Sequence, residues 1–419
     1  MSVFTIEGGY PLSGDVSVQG AKNSVLPILS ACVLARGESV IHNCPRLTDV
    51  DCAMRILRSL GCKCRLEGNT LTADSTLADR FDVSDELMCS MRSSVIFLGA
   101  LLARFGRAEI SVPGGCELGI RPINLHIDAL RKMGATIREE HGRISCRVDG
   151  RLKGCAIDLP IASVGATENI VIAAATAEGT TVVRNAAKEP EIVDLVRFLR
   201  SCGAHIGGEG STNITVYGVD SLHAAEHTVI PDRIAATTYL CAAAACSGEV
   251  RLLSATEEHL SPMLSCFEQM GCKVRTGGGE IVLTSRGRLH RISDVSTHEY
   301  PGFPTDAQPV MLATVAKARG TSVFVENIFS NRYRFVEGLT KMGASVKVID
   351  RVAVVEGVER LFSADVEATD LRGGAALMIA AMAADGVSHI SHLSHIDRGY
   401  EAPEAVLLSL GAHIKREDI

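Results

Sequence analysis

Six short polar groups stand at the front of long apolar runs in this chain: Lys22-Asn23, Arg92-Ser93, Ser163-Val164-Gly165, Asp232-Arg233, Thr305-Asp306 and Asp370-Leu371-Arg372. The start of a helix presents unsatisfied N–H groups and the positive end of its dipole, a combination that attracts phosphate and carboxylate. A second set lies in loops further along: Gly119-Ile120-Arg121, Glu189-Pro190-Glu191, Asn331-Arg332 and Asp397-Arg398-Gly399. Gathered together, Lys22, Arg92, Arg121, Arg332, Arg372 and Arg398 would form a cationic lining in a protein of net charge -7. Such a lining suits small substrates carrying several negative charges. A helix cap or a surface ion pair would explain any one of these residues. Their recurrence at corresponding places argues for a shared site.

The segment from Val112 to Pro122 differs from the rest, with Gly114, Gly115 and Gly119 surrounding Cys116. Glycine-rich loops of this kind serve as lids, and a neighbouring arginine, here Arg121, favours the thiolate of a cysteine. The competing chemistry is a Cys/His or Ser/His/Asp hydrolase. His126 and Asp128 fall on different faces of the helix that follows, which supports a triad poorly.

The elements that must position these groups repeat. A turn glycine, an apolar strand and a helical stretch run up to a stop at Gly-Ala or Gly-Cys, with stop glycines at 61, 134, 203, 271, 343 and 411. A period this regular marks a repeat architecture. In the first repeat, Glu38 to Asn43 reads as a strand, and Val50, Ala53, Met54, Leu57 and Leu60 recur at helical spacing. Gly61 ends that helix, and Lys63 to Leu66 and Thr70 to Thr72 flank a turn at Gly68-Asn69. In the third, Thr180 to Arg184 reads as a strand, and Ile192, Leu195, Val196 and Leu199 as a helix face. Further stretches are apolar nearly all round: Ile170 to Ala175, Leu240 to Cys246 and Ala375 to Ala384. They are far shorter than the roughly 20 residues that cross a bilayer, so they read as buried core helices. The sequence therefore predicts an α/β protein of six βαβ-type units with helices inside, three units to a domain. Residues 21–230 would form one domain, and residues 1–20 with 231–419 the other. The connection would then be a two-stranded hinge, and two charged faces would oppose across a cleft.

The acidic balance and the absence of Trp argue against nucleic-acid binding. Fourteen cysteines are scattered without a Cys-x-x-Cys pair, and the close pair Cys62 and Cys64 reads as buried filler. Free thiols in this number, with no basic-then-apolar leader, suit a cytoplasmic protein. No metal, cofactor or membrane contact is implied, and a monomer is expected.

Five motifs occur in order: Gly20-Ala21-Lys22-Asn23, Pro113-Gly114-Gly115-Cys116, Ser163-Val164-Gly165-Ala166-Thr167, Phe303-Pro304-Thr305-Asp306 and Asp397-Arg398-Gly399-Tyr400. Through them the chain resembles, from end to end, the UDP-N-acetylglucosamine 1-carboxyvinyltransferase family. The resemblance implies a two-domain inside-out α/β barrel, shared with enolpyruvylshikimate-phosphate synthase. It implies transfer of the enolpyruvyl group of phosphoenolpyruvate to the 3′-hydroxyl of UDP-N-acetylglucosamine, with release of phosphate. That is the first committed step of bacterial peptidoglycan synthesis and a target of fosfomycin. By the same resemblance Cys116 serves proton transfer and product release, Asp306 is the base, and Asp370 assists the tetrahedral intermediate. Lys22, Arg92, Arg121 and Arg398 hold phosphoenolpyruvate. Asn23, Ile123, Asn124, Leu125, Ser163, Val164 and Gly165 serve the nucleotide sugar, while Ile328, Arg332 and Arg372 contribute from the second half. Glu189 is a ligand contact or a helix-start cap. Asn124 stands where the family commonly has Asp. Thr48, Ala307, Ser330 and Tyr333-Arg334-Phe335 also depart from the pattern. The alternatives are a shikimate-type transferase, which the Cys116 loop disfavours, and a UDP-sugar-binding regulatory paralogue without turnover.

Overall fold

The computed structural model describes residues 2–111 and 123–418. Cys116, Arg121 and the rest of the glycine-rich segment lie outside the described residues. The chain divides into two compact units, residues 20–230 and residues 2–19 with 231–418.

The unit of residues 20–230 is built around three buried helices, α1 (Lys22–Ala31), α3 (Phe97–Phe105) and α5 (Val164–Ala174). These contact one another, which is why they are apolar nearly all round: a helix walled by other helices has no face to leave polar. Three further helices, α2 (Thr48–Ser59), α4 (Asn124–Lys132) and α6 (Pro190–Ser201), carry the amphipathic repeat. Ile192, Leu195, Val196 and Leu199 are all fully buried along α6. Three larger sheets complete this unit, beside a two-stranded parallel pair of Ala35–Arg36 with Leu222–His223. One runs Glu226–Thr228, Glu38–His42, Thr70–Asp74, Lys63–Glu67, and a second runs Ala156–Asp158, Thr180–Arg184, Asn213–Tyr217, His205–Gly207. The third has Arg107–Ser111, Arg143–Arg147 and Thr136–Glu140. Each four-stranded sheet pairs a short parallel edge strand with three antiparallel strands, in which the last strand in sequence lies between the other two. A parallel pair needs a crossover, and in the third repeat α5 supplies it between Ala156–Asp158 and Thr180–Arg184.

The second unit repeats this plan with α7 (Arg233–Ala245), α8 (Gln308–Val315) and α9 (Leu371–Ala383), which also contact one another. Its last sheet is completed by the start of the chain. Ser2–Glu7 lies antiparallel between Val387–Ser391 and His413–Asp418.

All six stop glycines have φ between 89° and 98°, a backbone state that side-chain-bearing residues rarely adopt. The turn glycine of the fourth repeat differs from the other five. Gly248 does not have positive φ; a Cβ there would sit 2.1 Å from the Leu12 carbonyl oxygen, so close backbone approach requires glycine. Two local expectations need correction. The first strand ends at His42, and Asn43 is left-handed with φ 53°. Arg92 and Thr305 open short 3-10 turns, Arg92–Ile96 and Thr305–Ala307, before their α-helices begin. No helix among the described residues is long and apolar enough to cross a membrane.

Candidate functional site

In the unit of residues 20–230, Lys22 opens α1 with its ammonium 2.7 Å from the carboxylate of Asp49, and both side chains are buried. Asn23 beside it is exposed. Arg92 is half-buried at the start of its 3-10 turn. At the start of α5, Ser163 accepts a hydrogen bond from the Ala166 amide at 3.3 Å, and Val164 and Gly165 are half-buried. The amides of the first helical turn precede any intrahelical acceptor, so this end offers donors. Ile123 stands at the N-cap of α4, with Asn124 exposed and Leu125 half-buried on its first turn.

Glu189 occupies the position before α6, but its side chain makes no cap hydrogen bond. It is buried near Glu168 and Glu191. Burial first, then the charges of Glu191 and Glu189, pushes the Glu168 carboxyl well above the usual carboxylate range.

In the second unit the Asp306 carboxylate is held between two buried guanidiniums. Arg332 Nη2 lies 2.8 Å from Oδ1, and Arg372 Nη2 lies 3.2 Å from Oδ2. The arginine side chains are 0% and 2% exposed, whereas that of Asp306 is 28% exposed and remains open to a reactant. Burial works against the charge of Arg372, but Tyr400, Asp306 and Asp232 outweigh it and its pKa is raised. Asp370 accepts from the amides of Arg372 and Gly373 at 3.1 and 3.0 Å and so caps α9. Both cap bonds go to Oδ1, and Oδ2 accepts from the Thr369 hydroxyl at 3.2 Å. Arg398 lies in the segment between two fixed points, for Arg416 bonds Asp397 at 2.7 Å and Glu404 at 2.7 Å. Ile328 is an exposed residue whose amide donates to Glu326 at 2.8 Å.

Several residues here escaped the sequence reading. Asp49 looks like an ordinary first-turn acid of α2, and its pairing with Lys22 depends on helix packing. Glu326 is fully buried at the end of the strand Thr321–Val325 and accepts from the hydroxyls of Thr297 and Thr305 and the amides of Ile328 and Phe329. Asn169 and Glu168, polar residues inside an apolar helix, were the available signal. Among the described residues no group of His, Cys, Asp or Glu could hold a metal ion.

The chain belongs to the enolpyruvyl transferase family described as EPSP synthase (3-phosphoshikimate 1-carboxyvinyltransferase), whose profile matches residues 6–407. It is 49% identical to UDP-N-acetylglucosamine 1-carboxyvinyltransferase 2 of Caldanaerobacter subterraneus subsp. tengcongensis, over 99% of this chain and 100% of that one. It is 44% identical to UDP-N-acetylglucosamine 1-carboxyvinyltransferase of Shewanella amazonensis, again over 99% and 100%. Among solved structures it resembles the enolpyruvyl transferase NikO from Streptomyces tendae, with a TM-score of 0.90 and 27% identity over 99% of this chain and 98% of that one.

Proposed function

We propose that this protein transfers the enolpyruvyl group of phosphoenolpyruvate to the 3′-hydroxyl of UDP-N-acetylglucosamine and releases phosphate, a step of peptidoglycan synthesis. The observation that carries the reading is Asp306, a part-exposed carboxylate fixed by two buried arginines at the front of a core helix. Full-length relatives named for this activity support the choice of acceptor.

The chemistry assigns the groups. Protonation of C3 of phosphoenolpyruvate makes C2 electrophilic, and the sugar oxygen bonds to C2 as its proton passes to a base, Asp306. The tetrahedral intermediate then loses a proton from C3 and the phosphate from C2, which restores the double bond. Cys116 is the assigned proton donor and acceptor at C3. Lys22, Arg92, Arg121 and Arg398 neutralise the phosphate and carboxylate of phosphoenolpyruvate. Asn23, Ile123 to Leu125 and Ser163 to Gly165 bind the nucleotide sugar, with Ile328, Arg332 and Arg372 serving Asp306 and its surroundings. Asp370, which caps the helix that carries Arg372, assists the formation or collapse of the tetrahedral intermediate. We further assign each compact unit to one domain of an inside-out α/β barrel. The mutually contacting core helices support this, as does the paired crossing of the chain, where the Ala21 amide meets the Ile230 carbonyl at 2.8 Å and the Asp232 amide meets that of Gln19 at 2.8 Å. The protein acts as a cytoplasmic monomer without a cofactor.

Phosphate release is the test, with phosphoenolpyruvate and either UDP-N-acetylglucosamine or shikimate 3-phosphate as acceptor. Release with the nucleotide sugar alone is expected. Release only with shikimate 3-phosphate, or binding of the nucleotide sugar without turnover, refutes the assignment.

A further inference from the structure

Asn169 lies inside α5, and the main chain anchors both ends of its amide. Its Oδ1 accepts from the Gly99 amide at 2.6 Å, and its Nδ2 donates to the Val95 carbonyl at 2.9 Å. Those partners forbid a flipped amide, because a flip would set donor against donor and acceptor against acceptor. The second hydrogen on Nδ2 therefore points at His126 Nδ1, 2.9 Å away. That ring nitrogen must present a lone pair, so the proton of the neutral imidazole sits on Nε2. Burial, with a smaller contribution from the charge of Arg92, lowers the His126 pKa to about 4, and the ring is uncharged at neutral pH.

The free end of the ring faces the start of α5. A Cβ built on Gly165 would lie 3.2 Å from His126 Cε1 and 3.5 Å from Nε2. His126 is 8% exposed, and Nε2 has no hydrogen-bond partner among the described residues. Its N–H thus joins the unsatisfied first-turn amides of α5. The free groups named at this spot, the ring N–H and the first-turn amides, all donate, and α5 adds the positive end of its dipole. A diphosphate has only acceptor oxygens and fits such a place; a sugar hydroxyl or a base edge would also need acceptors. A neutral donor suits the position beside Arg92, where an imidazolium would be repelled.

We infer that His126 is an uncharged hydrogen-bond donor to the diphosphate of the nucleotide sugar, with its tautomer fixed by Asn169. The inference rests on the nucleotide-sugar reading above and adds a binding residue to it. It also removes His126 as a general base, since Nδ1 is engaged and Nε2 carries the proton.

Two substitutions separate the ring positions. His126→Gln can place an amide N–H where Nε2–H stood, whereas His126→Asn reaches only the Nδ1 position. Binding of UDP-N-acetylglucosamine should weaken by about tenfold to a hundredfold in His126→Asn, as expected for a hydrogen bond to a charged group. His126→Gln should recover most of that loss. In turnover KM for the nucleotide sugar should rise with little change in kcat, a pattern that a purely structural role would not give. Nitrogen-15 spectra of the wild-type histidine should show Nε2 protonated, and its signal should move when UDP is added. Asn and Gln variants that both bind like wild type, or an Nε2 signal unmoved at saturating UDP, would overturn the inference while leaving nucleotide-sugar binding intact. If neither UDP nor UDP-N-acetylglucosamine binds, the nucleotide-sugar reading falls and this inference falls with it. Should a variant fail to fold, the wild-type signal decides.

Discussion

Glu326→Gln changes no volume, yet the structure predicts a marked effect on stability and turnover. Glu326 Oε1 accepts from the amides of Ile328 and Phe329 and the hydroxyl of Thr297, and Oε2 accepts from the Thr305 hydroxyl at 2.9 Å. Thr305 Oγ1 itself accepts from Arg332 Nε at 3.1 Å and Nη2 at 3.0 Å. Its single proton and both lone pairs are therefore committed. Glutamine can keep its oxygen toward the three donors, but its NH2 then meets a hydroxyl with no lone pair left. Either Arg332 or the new amide must give up its partner. Loss of a buried hydrogen bond to a charged group costs about 1.5–3 kcal/mol. For a unit of this size that lowers the melting temperature by roughly 3–12 °C. Arg332 is also the 2.8 Å partner of Asp306, so kcat/KM should fall by about tenfold as that carboxylate loosens. Thermal melts and phosphate release measure both effects. The same substitution made on a Thr305→Val background should cost little more, because the conflicting hydroxyl is gone. Wild-type melting and a kcat/KM within about twofold in Glu326→Gln would refute the hydrogen-bond assignment.

Gly99→Ala should lower the melting temperature through overpacking of about 1–3 kcal/mol, since a Cβ there would lie 2.3 Å from Asn169 Oδ1 and 2.5 Å from its carbonyl oxygen. An unchanged melt would show that the close approach of α3 to α5 is not required. Arg416→Gln should raise KM for phosphoenolpyruvate by about threefold to tenfold through freedom gained at Arg398, because Arg416 holds Asp397 and Glu404. An unchanged KM would free Arg398 from that dependence. Glu168→Gln should stabilise the protein increasingly as pH rises. The folded-state pKa of Glu168 is raised by burial and by Glu191 and Glu189. Its protonated form therefore contributes fully below the unfolded pKa of about 4.3, and the contribution is lost as pH climbs toward the folded value. Melts of both proteins between pH 5 and 8 that stay parallel would contradict it.

What the sequence disclosed was largely local. A stop glycine near φ 90° and an amphipathic face every third or fourth residue are properties of a few neighbouring residues, so the Pro190–Ser201 helix and the Gly61 cap could be read directly. Pairings across the fold could not. Asp49 meets Lys22 only because α1 packs on α2. Asn43 and Asn185 follow directly on their strands in the left-handed state, at φ 53° and 55°, and donate to the carbonyls of Val229 and Leu159, each just past a parallel edge strand. With no glycine to mark it, that device looks like two more strand residues. The charged helix starts were visible by recurrence, yet the way Asp306 is shared by Arg332 and Arg372 depends on where the loop of residues 326–332 returns, and Glu326 sets that return.

The crossing of the chain links these levels. Ser13–Ser17 precedes α1 in sequence but pairs with Glu249–Leu253, and Glu226–Thr228 precedes α7 but pairs with Glu38–His42. Each edge strand thus stays in the sheet of its own unit, and the chain passes from one unit to the other twice, directly before Lys22 and directly before Arg233. At the first of these places Asp194 of α6 is the fixed point: it accepts from the Ser24 hydroxyl and from the Ile230 amide at 3.2 Å, and pairs with His227 at 3.0 Å. One buried carboxylate therefore ties the first turn of α1 to the outgoing strand. The orientation of Lys22 and Asn23 is set by the same residue that anchors the crossing, so a change at Asp194 should reach Lys22 without touching it.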